Sequence, residues 1–341
     1  MHSQEPIMKI VLFDIEAWER NTFKELENRG HEVVFEKRPL DADTAAEYSD
    51  AEIISAFIYS KFNAEVLAKF NHLKMIATRS TGFDHIDLDY CQEHSVTVAN
   101  VPTYGENTVA EHVFALLLSI SHRVVDGVDR TRRGDFSPKG LQGFDLKHKT
   151  LGIIGTGNIG LHVAHIAKGF MMKVVAFDIK PDEQAAQEIG FDYVDMDGLL
   201  KQADVISMHV PGSEKNKHLL GKEQFEAMKQ GVVLINTARG PIIDVQALLQ
   251  ALTSGKVAAA GLDVLPEEPV IREEAELLRS LYDPERSLET LLADHVLLRL
   301  RNVIITPHSA FNTREAVQRI LDTTCENITA FIDEQPQNIV G

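Results

Sequence analysis

Short apolar runs of strand length alternate along this chain with stretches whose apolar positions recur every three or four residues. Lys9 to Phe13, Glu32 to Phe35, Ala51 to Phe57, Lys74 to Thr78 and Val96 to Val101 read as strands, with helical stretches such as Glu16 to Arg29 and Ala64 to Phe70 between them. That alternation predicts a doubly wound unit. Asn107 to His122 follows, with Val109, Val113, Leu116, Leu117 and Ile120 at helical spacing, and is expected to carry the chain out of the first domain. Further strands are expected at Leu151 to Ile154, Lys173 to Phe177, Val205 to Val210, Val232 to Thr237, Ala258 to Val264 and Val303 to Thr306. A last helix, from about Thr313 to Asp333, is expected to dock back on the first domain. The predicted fold class is α/β with two doubly wound parallel-sheet domains, one from residues 1–103 and 307–341 and one from 104–306, with hinges near Pro102 and Pro307 and an interdomain cleft.

One run gives the second domain a chemistry. In Leu151-Gly-Ile-Ile-Gly-Thr-Gly-Asn-Ile-Gly160 the first residues form a buried strand, Gly155 allows a tight turn, Gly157 lets backbone approach a pyrophosphate, and Gly160 lets the next helix pack close to the sheet. That helix, beginning near Asn158 and Ile159, would aim its N-terminal N–H groups at the phosphates. Lys173 to Phe177 then leads to Asp178, at the distance where a carboxylate takes the two adenosine ribose hydroxyls and repels a 2′-phosphate. NAD is the expected cofactor in preference to NADP, a preference moderated by the nearby Lys180. A glycine-rich turn can share the spelling; strand, helix, second strand and terminal acid together make it a nucleotide site.

Composition limits the other ligands. The 341 residues are 44% hydrophobic, enough for two cores, and the formal charge of −17 would repel nucleic acid and anionic membrane. An anionic ligand must therefore be held by local positive groups, one or two well-placed arginines. Cys91 and Cys325 are the only cysteines and form no CxxC, which argues against a disulfide framework or thiolate zinc site; packing thiols in a reducing cytoplasm are expected, and no metal. Met1 to Pro6 lacks a basic start followed by an apolar stretch, and runs such as Val113 to Leu118 are too short to cross a bilayer.

Three downstream residues offer chemistry that a nucleotide fold alone lacks. Arg239, in Asn236-Thr-Ala-Arg-Gly240, follows an apolar strand and so stands at the carboxyl end of a parallel strand, where ligands of open α/β sheets bind. Its planar fork suits a carboxylate and can polarise an adjacent carbonyl, although an isolated arginine there is as readily a salt bridge. His308, in Thr306-Pro-His-Ser-Ala-Phe311, can exchange a proton with an alcohol near neutral pH, and Glu268, in Glu268-Pro269, is a carboxylate that could keep such an imidazole charged and aimed. Taken alone, His308 could equally be a loop residue.

At these positions the chain resembles the D-isomer-specific 2-hydroxyacid dehydrogenases, and within them the D-lactate dehydrogenase branch. The resemblance spans essentially the whole sequence and runs in order through Arg79-Ser-Thr-Gly-Phe-Asp-His-Ile-Asp87, Asn100-Val-Pro-Thr-Tyr104, Val109-Ala-Glu-His112, the glycine fingerprint, His209-Val-Pro211, Asn236-Thr-Ala-Arg-Gly240, Gly261-Leu-Asp-Val264, Glu268-Pro269 and Thr306-Pro-His-Ser-Ala-Phe311. It implies a flavodoxin-like substrate domain with an inserted NAD-binding Rossmann domain. It further implies that Arg239 holds substrate carboxylate and carbonyl, that His308 is the acid/base and that Glu268 is its partner. Thr81 and Gly82 would grip the carboxylate through backbone N–H groups, and Asp263 would orient the nicotinamide carboxamide. Thr156 to Ile159 would hold the pyrophosphate; His209, Val210 and Pro211 would wall the adenine side, with Thr237 and Ala238 also at the cofactor. Tyr104 and Phe311 would line the pocket at the substrate side chain, or else be ordinary aromatic packing. Glu111 and His112 fit the family pattern but are expected to be structural.

The reaction implied is reduction of pyruvate to D-lactate by direct hydride transfer from NADH without metal; glyoxylate, hydroxypyruvate, aromatic or branched 2-oxo acids remain alternatives, and an NAD-sensing corepressor on this scaffold is a more distant one. A homodimer through the nucleotide domain is implied, with the helix beginning near Asn107 in the contact, although a stripe facing the domain's own core gives the same pattern. The sequence departs from the family at Arg272 to Arg301, where an added helix or loop is expected over the cleft or at a subunit contact.

Overall fold

The computed structural model describes residues 6–58, 60–266 and 288–341. The chain divides into two compact units, Met1–Tyr104 with Thr313–Gly341, and Gly105–Asn312. The return crossing falls at Thr313 rather than at 307, so His308 and Phe311 stay with the second unit.

In the first unit, strands β1 (Lys9–Leu12), β2 (Glu32–Phe35), β3 (Ile53–Ala56), β4 (Met75–Thr78) and β5 (Thr97–Ala99) form a parallel sheet in the order β2-β1-β3-β4-β5. This is the flavodoxin-like doubly wound order. β3 and β4 are buried at every residue because both faces are covered, which is why their sequences are continuously apolar rather than alternating. One face packs Val11, Ile54, Ile76 and Val98 against Val66 and Leu67. The other sets Ile10, Leu12, Ile53 and Met75 against Leu321, Cys325, Ile328 and Ile332 of the last helix, Arg314–Ile332. Thr313 caps that helix by accepting the Ala316 N–H, and the helix docks on the first unit as its stripe predicts. Glu16 to Arg29 departs from expectation: it is a 3-10 turn, Glu19–Phe23, followed by a short helix, Lys24–Asn28. Asn21 and Thr22 are weak helix formers, and Gly30 at φ +90° ends the segment. Cys91 and Cys325 are buried free thiols that burial pushes up to about 11, so both stay protonated and inert at neutral pH.

The second unit holds β6 (Thr150–Ile154), β7 (Lys173–Phe177), β8 (Asp192–Tyr193), β9 (Val205–Met208), β10 (Val232–Asn236), β11 (Val257–Leu262) and β12 (Val303–Ile305), all parallel, in the order β12-β11-β10-β9-β6-β7-β8. β8 was not expected, since two residues pairing with Val175 and Ala176 leave no periodic signal. Strand order reverses between β9 and β6, which makes that edge the site where such sheets bind ligands.

Helix Glu106–Ser121 inserts Ala110, Val113, Phe114, Leu116 and Leu117 into the same core as Leu151, Ile153 and Val163. Its apolar stripe is thus used within its own unit, the second of the two readings that the sequence left open for it. The next helix, Val124–Arg132, buries no residue; Val124, Val125 and Val128 stand 47%, 48% and 41% exposed, and Phe136 beyond it 81%. Within the stretch expected as an added surface element, helix Leu288–Leu297 packs Ala293 and Leu297 against Leu248, Leu262 and Leu265, so it is part of the core. No single helix among the described residues is long and apolar enough to cross a membrane.

Candidate active site

Most of the residues singled out in the sequence lie along one edge of the seven-stranded sheet. His308 follows β12, Asp263 follows β11, Arg239 follows β10, His209 follows β9, the glycine loop follows β6 and Asp178 follows β7, each just past the carboxyl end of its strand. A parallel sheet puts all such ends on one side, so residues more than 150 positions apart share an edge.

The glycine loop is built by close contacts. Gly155 adopts φ +93°, and a side chain there would meet the His209 carbonyl oxygen at 2.6 Å and Val210 Cγ1 at 2.9 Å. A methyl group on Gly160 would collide with the Gly155 carbonyl, whereas at Gly157 it would enter open space. Helix Asn158–Gly169 starts at Gly157 without a side-chain cap, although Asp182, Asp195 and Asp244 cap other helices of this unit. Among the described residues the N–H groups of Asn158, Ile159 and Gly160 find no acceptor. Three unpaired donors at the positive end of a helix, beside a glycine that keeps the approach open, fit a pyrophosphate.

Asp178 ties this loop together: its carboxylate accepts the Thr156 N–H at 2.7 Å, the Thr156 hydroxyl at 3.1 Å and the Lys180 N–H at 2.8 Å. Tyr193, which the sequence reading missed because it lies on the unforeseen β8, completes the arrangement through a 2.7 Å hydrogen bond between its hydroxyl and that of Thr156. Partial burial opposes ionisation of Asp178, but the N–H groups of Lys180 and Thr156 outweigh it and hold the carboxyl below its usual range. Asp178→Asn is expected to lower the preference for NADH over NADPH about tenfold, because the repulsion of a 2′-phosphate is lost. The ratio of kcat/KM for the two cofactors checks this, and an unchanged ratio would remove Asp178 from cofactor discrimination.

Between the loop and Arg239, the His209 Nε2 atom lies 2.8 Å from the Ser207 hydroxyl. Desolvation pushes the pKa of this imidazole down to about 3, so it is neutral near neutral pH. Val210 packs beside Gly155, and Pro211 accepts an Asn216 side-chain N–H at 2.9 Å. The Arg239 turn is bracketed by buried Asn236, whose Nδ2 donates to the Arg239 carbonyl at 2.9 Å and whose Oδ1 accepts the Ala238 N–H at 3.0 Å. Its guanidinium donates through Nη1 to the Ala238 carbonyl at 2.9 Å, and its stem lies so close to Gly212 that a Cβ there would be 2.7 Å from Cγ. The buried Thr237 hydroxyl meets no partner among the described residues, a polar atom suited to a ligand at this edge.

His308 adopts φ +51°, a conformation costing about 1–2 kcal/mol for a non-glycine residue. Asp263 holds it there. Its carbonyl accepts the His308 N–H at 2.9 Å, and its fully buried carboxylate accepts the Ser309 and Ala310 N–H groups at 2.9 Å each, together with the Thr306 hydroxyl. Burial works against this charge, but donation from His112, Thr306, Ser309 and Ala310 prevails and keeps the Asp263 carboxyl below its usual range. Asp263 thus serves the His308 loop, a role beyond the carboxamide contact expected of it. For Asp178 and Asp263 alike the folded pKa lies below the unfolded value of about 3.9. Their contribution to stability is therefore complete above the unfolded value and is lost as pH falls through the folded one.

In the first unit, the loop after β4 closes through Thr81 Oγ1 donating to the Val101 carbonyl at 2.8 Å and Ser80 Oγ donating to the Gly82 carbonyl at 2.6 Å. The backbone N–H groups of Thr81 and Gly82 meet no acceptor among the described residues, so successive donors form a nest for an anion. Tyr104 ends this unit, its carbonyl accepting the Arg319 Nε–H, while Phe311 is half-buried in the second unit. Glu268 lies outside the described residues.

Residues 114–310 match the family described as D-isomer specific 2-hydroxyacid dehydrogenase, NAD binding domain. A D-lactate dehydrogenase of Escherichia coli is 36% identical over 328 residues, covering 94% of this chain and 96% of that one. The chain belongs to the D-isomer-specific 2-hydroxyacid dehydrogenases. It stands on their D-lactate dehydrogenase branch and is an NAD-dependent oxidoreductase acting on the CH–OH group of 2-hydroxy acids. The solved D-lactate dehydrogenase of Aquifex aeolicus, complexed with NAD and lactic acid, superposes with a TM-score of 0.83 at 36% identity over 96% of each chain. An aromatic 2-oxoacid reductase of Clostridium sporogenes is 35% identical over 331 residues, 95% of this chain and 96% of that one. The chain is thus similar over nearly its whole length to relatives that differ in substrate.

Proposed function

We propose that this dehydrogenase reduces pyruvate to D-lactate, working as a homodimer in a reducing cytoplasm. The observation that carries the chemistry is the placement of Arg239 and His308 at one sheet edge, beside an uncapped helix N-terminus, with His308 locked in a left-handed conformation. The guanidinium of Arg239 offers a fork to the carboxylate of a 2-oxo acid and attracts charge developing on its keto oxygen. His308 delivers a proton to that oxygen. Glu268 is assigned to keep the imidazole charged and aimed, and the Thr81 and Gly82 amides offer a carboxylate nest of matching chemistry. NADH, when bound, supplies the hydride.

The choice of pyruvate rests on the E. coli and A. aeolicus relatives, and on Tyr104 and Phe311 as the aromatic positions read as bounding a small apolar substituent. Steady-state rates across pyruvate, phenylpyruvate, 2-oxoisocaproate, hydroxypyruvate, glyoxylate and oxaloacetate test it: pyruvate should give the highest kcat/KM. A larger value for phenylpyruvate or glyoxylate would overturn the substrate while leaving the reaction class intact.

Beyond helix Glu106–Ser121, the exposed apolar row Val124, Val125, Val128 and Phe136 adds a surface of the same domain that a second copy would cover. Val128→Asp is expected to shift the sedimenting species from two chains toward one. Wild-type protein sedimenting as a monomer at micromolar concentration would contradict the dimer.

A further inference from the structure

His112 stands in helix Glu106–Ser121, yet its ring does not join the apolar core that the rest of that face builds. Its Nε2 lies 3.0 Å from Thr306 Oγ1 and 3.5 Å from Asp263 Oδ1. Counting protons assigns the direction of these bonds. A threonine hydroxyl has one hydrogen, and Thr306 gives it to the Asp263 carboxylate, which can only accept. The remaining role for Thr306 toward His112 is as acceptor, so Nε2 carries the hydrogen. A donor chain therefore runs from His112 Nε2–H to Thr306 Oγ1–H to Asp263 Oδ1, the oxygen that also receives the Ser309 N–H.

Asp263 meets the three residues 308, 309 and 310 through three successive backbone N–H groups, so an error in its position passes directly to the His308 side chain. Its carboxylate is completely buried, with Oδ2 held by the Ala310 N–H and Oδ1 shared by the Ser309 N–H and the Thr306 hydroxyl, so the aim of that hydroxyl bears on where Oδ1 sits. Thr306 alone cannot fix it, because a hydroxyl rotates. The imidazole fixes the hydroxyl, and the helix, anchored by Val113, Leu116 and Leu117, fixes the imidazole.

We propose that His112 is a positioning residue for the acid/base step, holding the His308 loop in register through Thr306 and Asp263. The proposal rests on the reading of His308 as the acid/base and extends it to a residue 196 positions earlier in the chain, which the sequence assigned only a structural place.

A double-mutant cycle tests it. His112→Leu and Thr306→Val are each expected to lower kcat with pyruvate about tenfold, the scale set by a sub-ångström displacement of a reacting group, while KM and the NADH dissociation constant stay within about twofold. His112→Gln, which retains a donor near Nε2, should recover kcat to within about threefold of wild type. In a His308→Gln background, His112→Leu should cost less than about twofold, because the group it positions is gone. Wild-type kcat in His112→Leu, an equal loss in the presence and absence of His308, or equal damage from Leu and Gln would each overturn the inference. Thermal unfolding of every variant separates loss of fold from loss of register. Failure of the acid/base reading shows separately, as wild-type turnover in His308→Gln alone.

Discussion

His308→Gln is expected to reduce turnover by about two to four orders of magnitude, with NADH affinity largely unchanged. Glutamine matches much of the imidazole's size and hydrogen-bonding capacity but cannot release a proton near neutral pH. The loss falls on kcat because the proton is required only as charge develops on oxygen, and each factor of ten corresponds to about 1.4 kcal/mol of barrier. NADH binding should survive because the fingerprint's unpaired donors, at Asn158, Ile159 and Gly160, lie at a different strand end from His308. Stopped-flow NADH oxidation together with fluorescence titration measures both quantities. Near-wild-type turnover would remove His308 from the mechanism, and parallel loss of binding would make it a cofactor residue.

Arg239→Lys is expected to lower kcat/KM for the 2-oxo acid by about one to two orders of magnitude, mainly through weaker substrate binding. Charge is preserved in this variant, so the effect isolates geometry. A guanidinium can give two parallel N–H bonds to a carboxylate and still donate elsewhere, whereas an ammonium is a point donor on a flexible stem. In this chain the Arg239 fork is set by the Asn236 bracket, its own bond to the Ala238 carbonyl and a stem seated against Gly212, contacts that a lysine would keep only in part. Unchanged KM and rate would return Arg239 to the role of a strand-end ion pair.

The sequence carried the sheet well because both faces of its strands are covered: apolar runs such as Ile53–Ala56 and Val232–Asn236 have no other use. It carried the glycine loop for a related reason, since Gly155 and Gly160 are required by backbone contacts that no other residue satisfies. Two-residue β8 was invisible because it has no period, and Tyr193, which steadies Thr156, was lost with it. The stripe of helix Glu106–Ser121 was legible as amphipathic but silent about what covers it. His112 meets Thr306 across 194 positions, and Asp263 holds Ala310 across 47; only folding brings such pairs together. An acid ahead of a turn and a histidine in an apolar helix have ordinary explanations one at a time, and their meaning lies in the distances between them.

The most direct test of the account is the handedness of the product formed from pyruvate and NADH by the wild-type enzyme, resolved by chiral chromatography alongside the loss of NADH absorbance. D-lactate, equimolar with the NADH consumed, is the predicted result. L-lactate, or tight NADH binding with no oxidation on any 2-oxo acid tried, would contradict it.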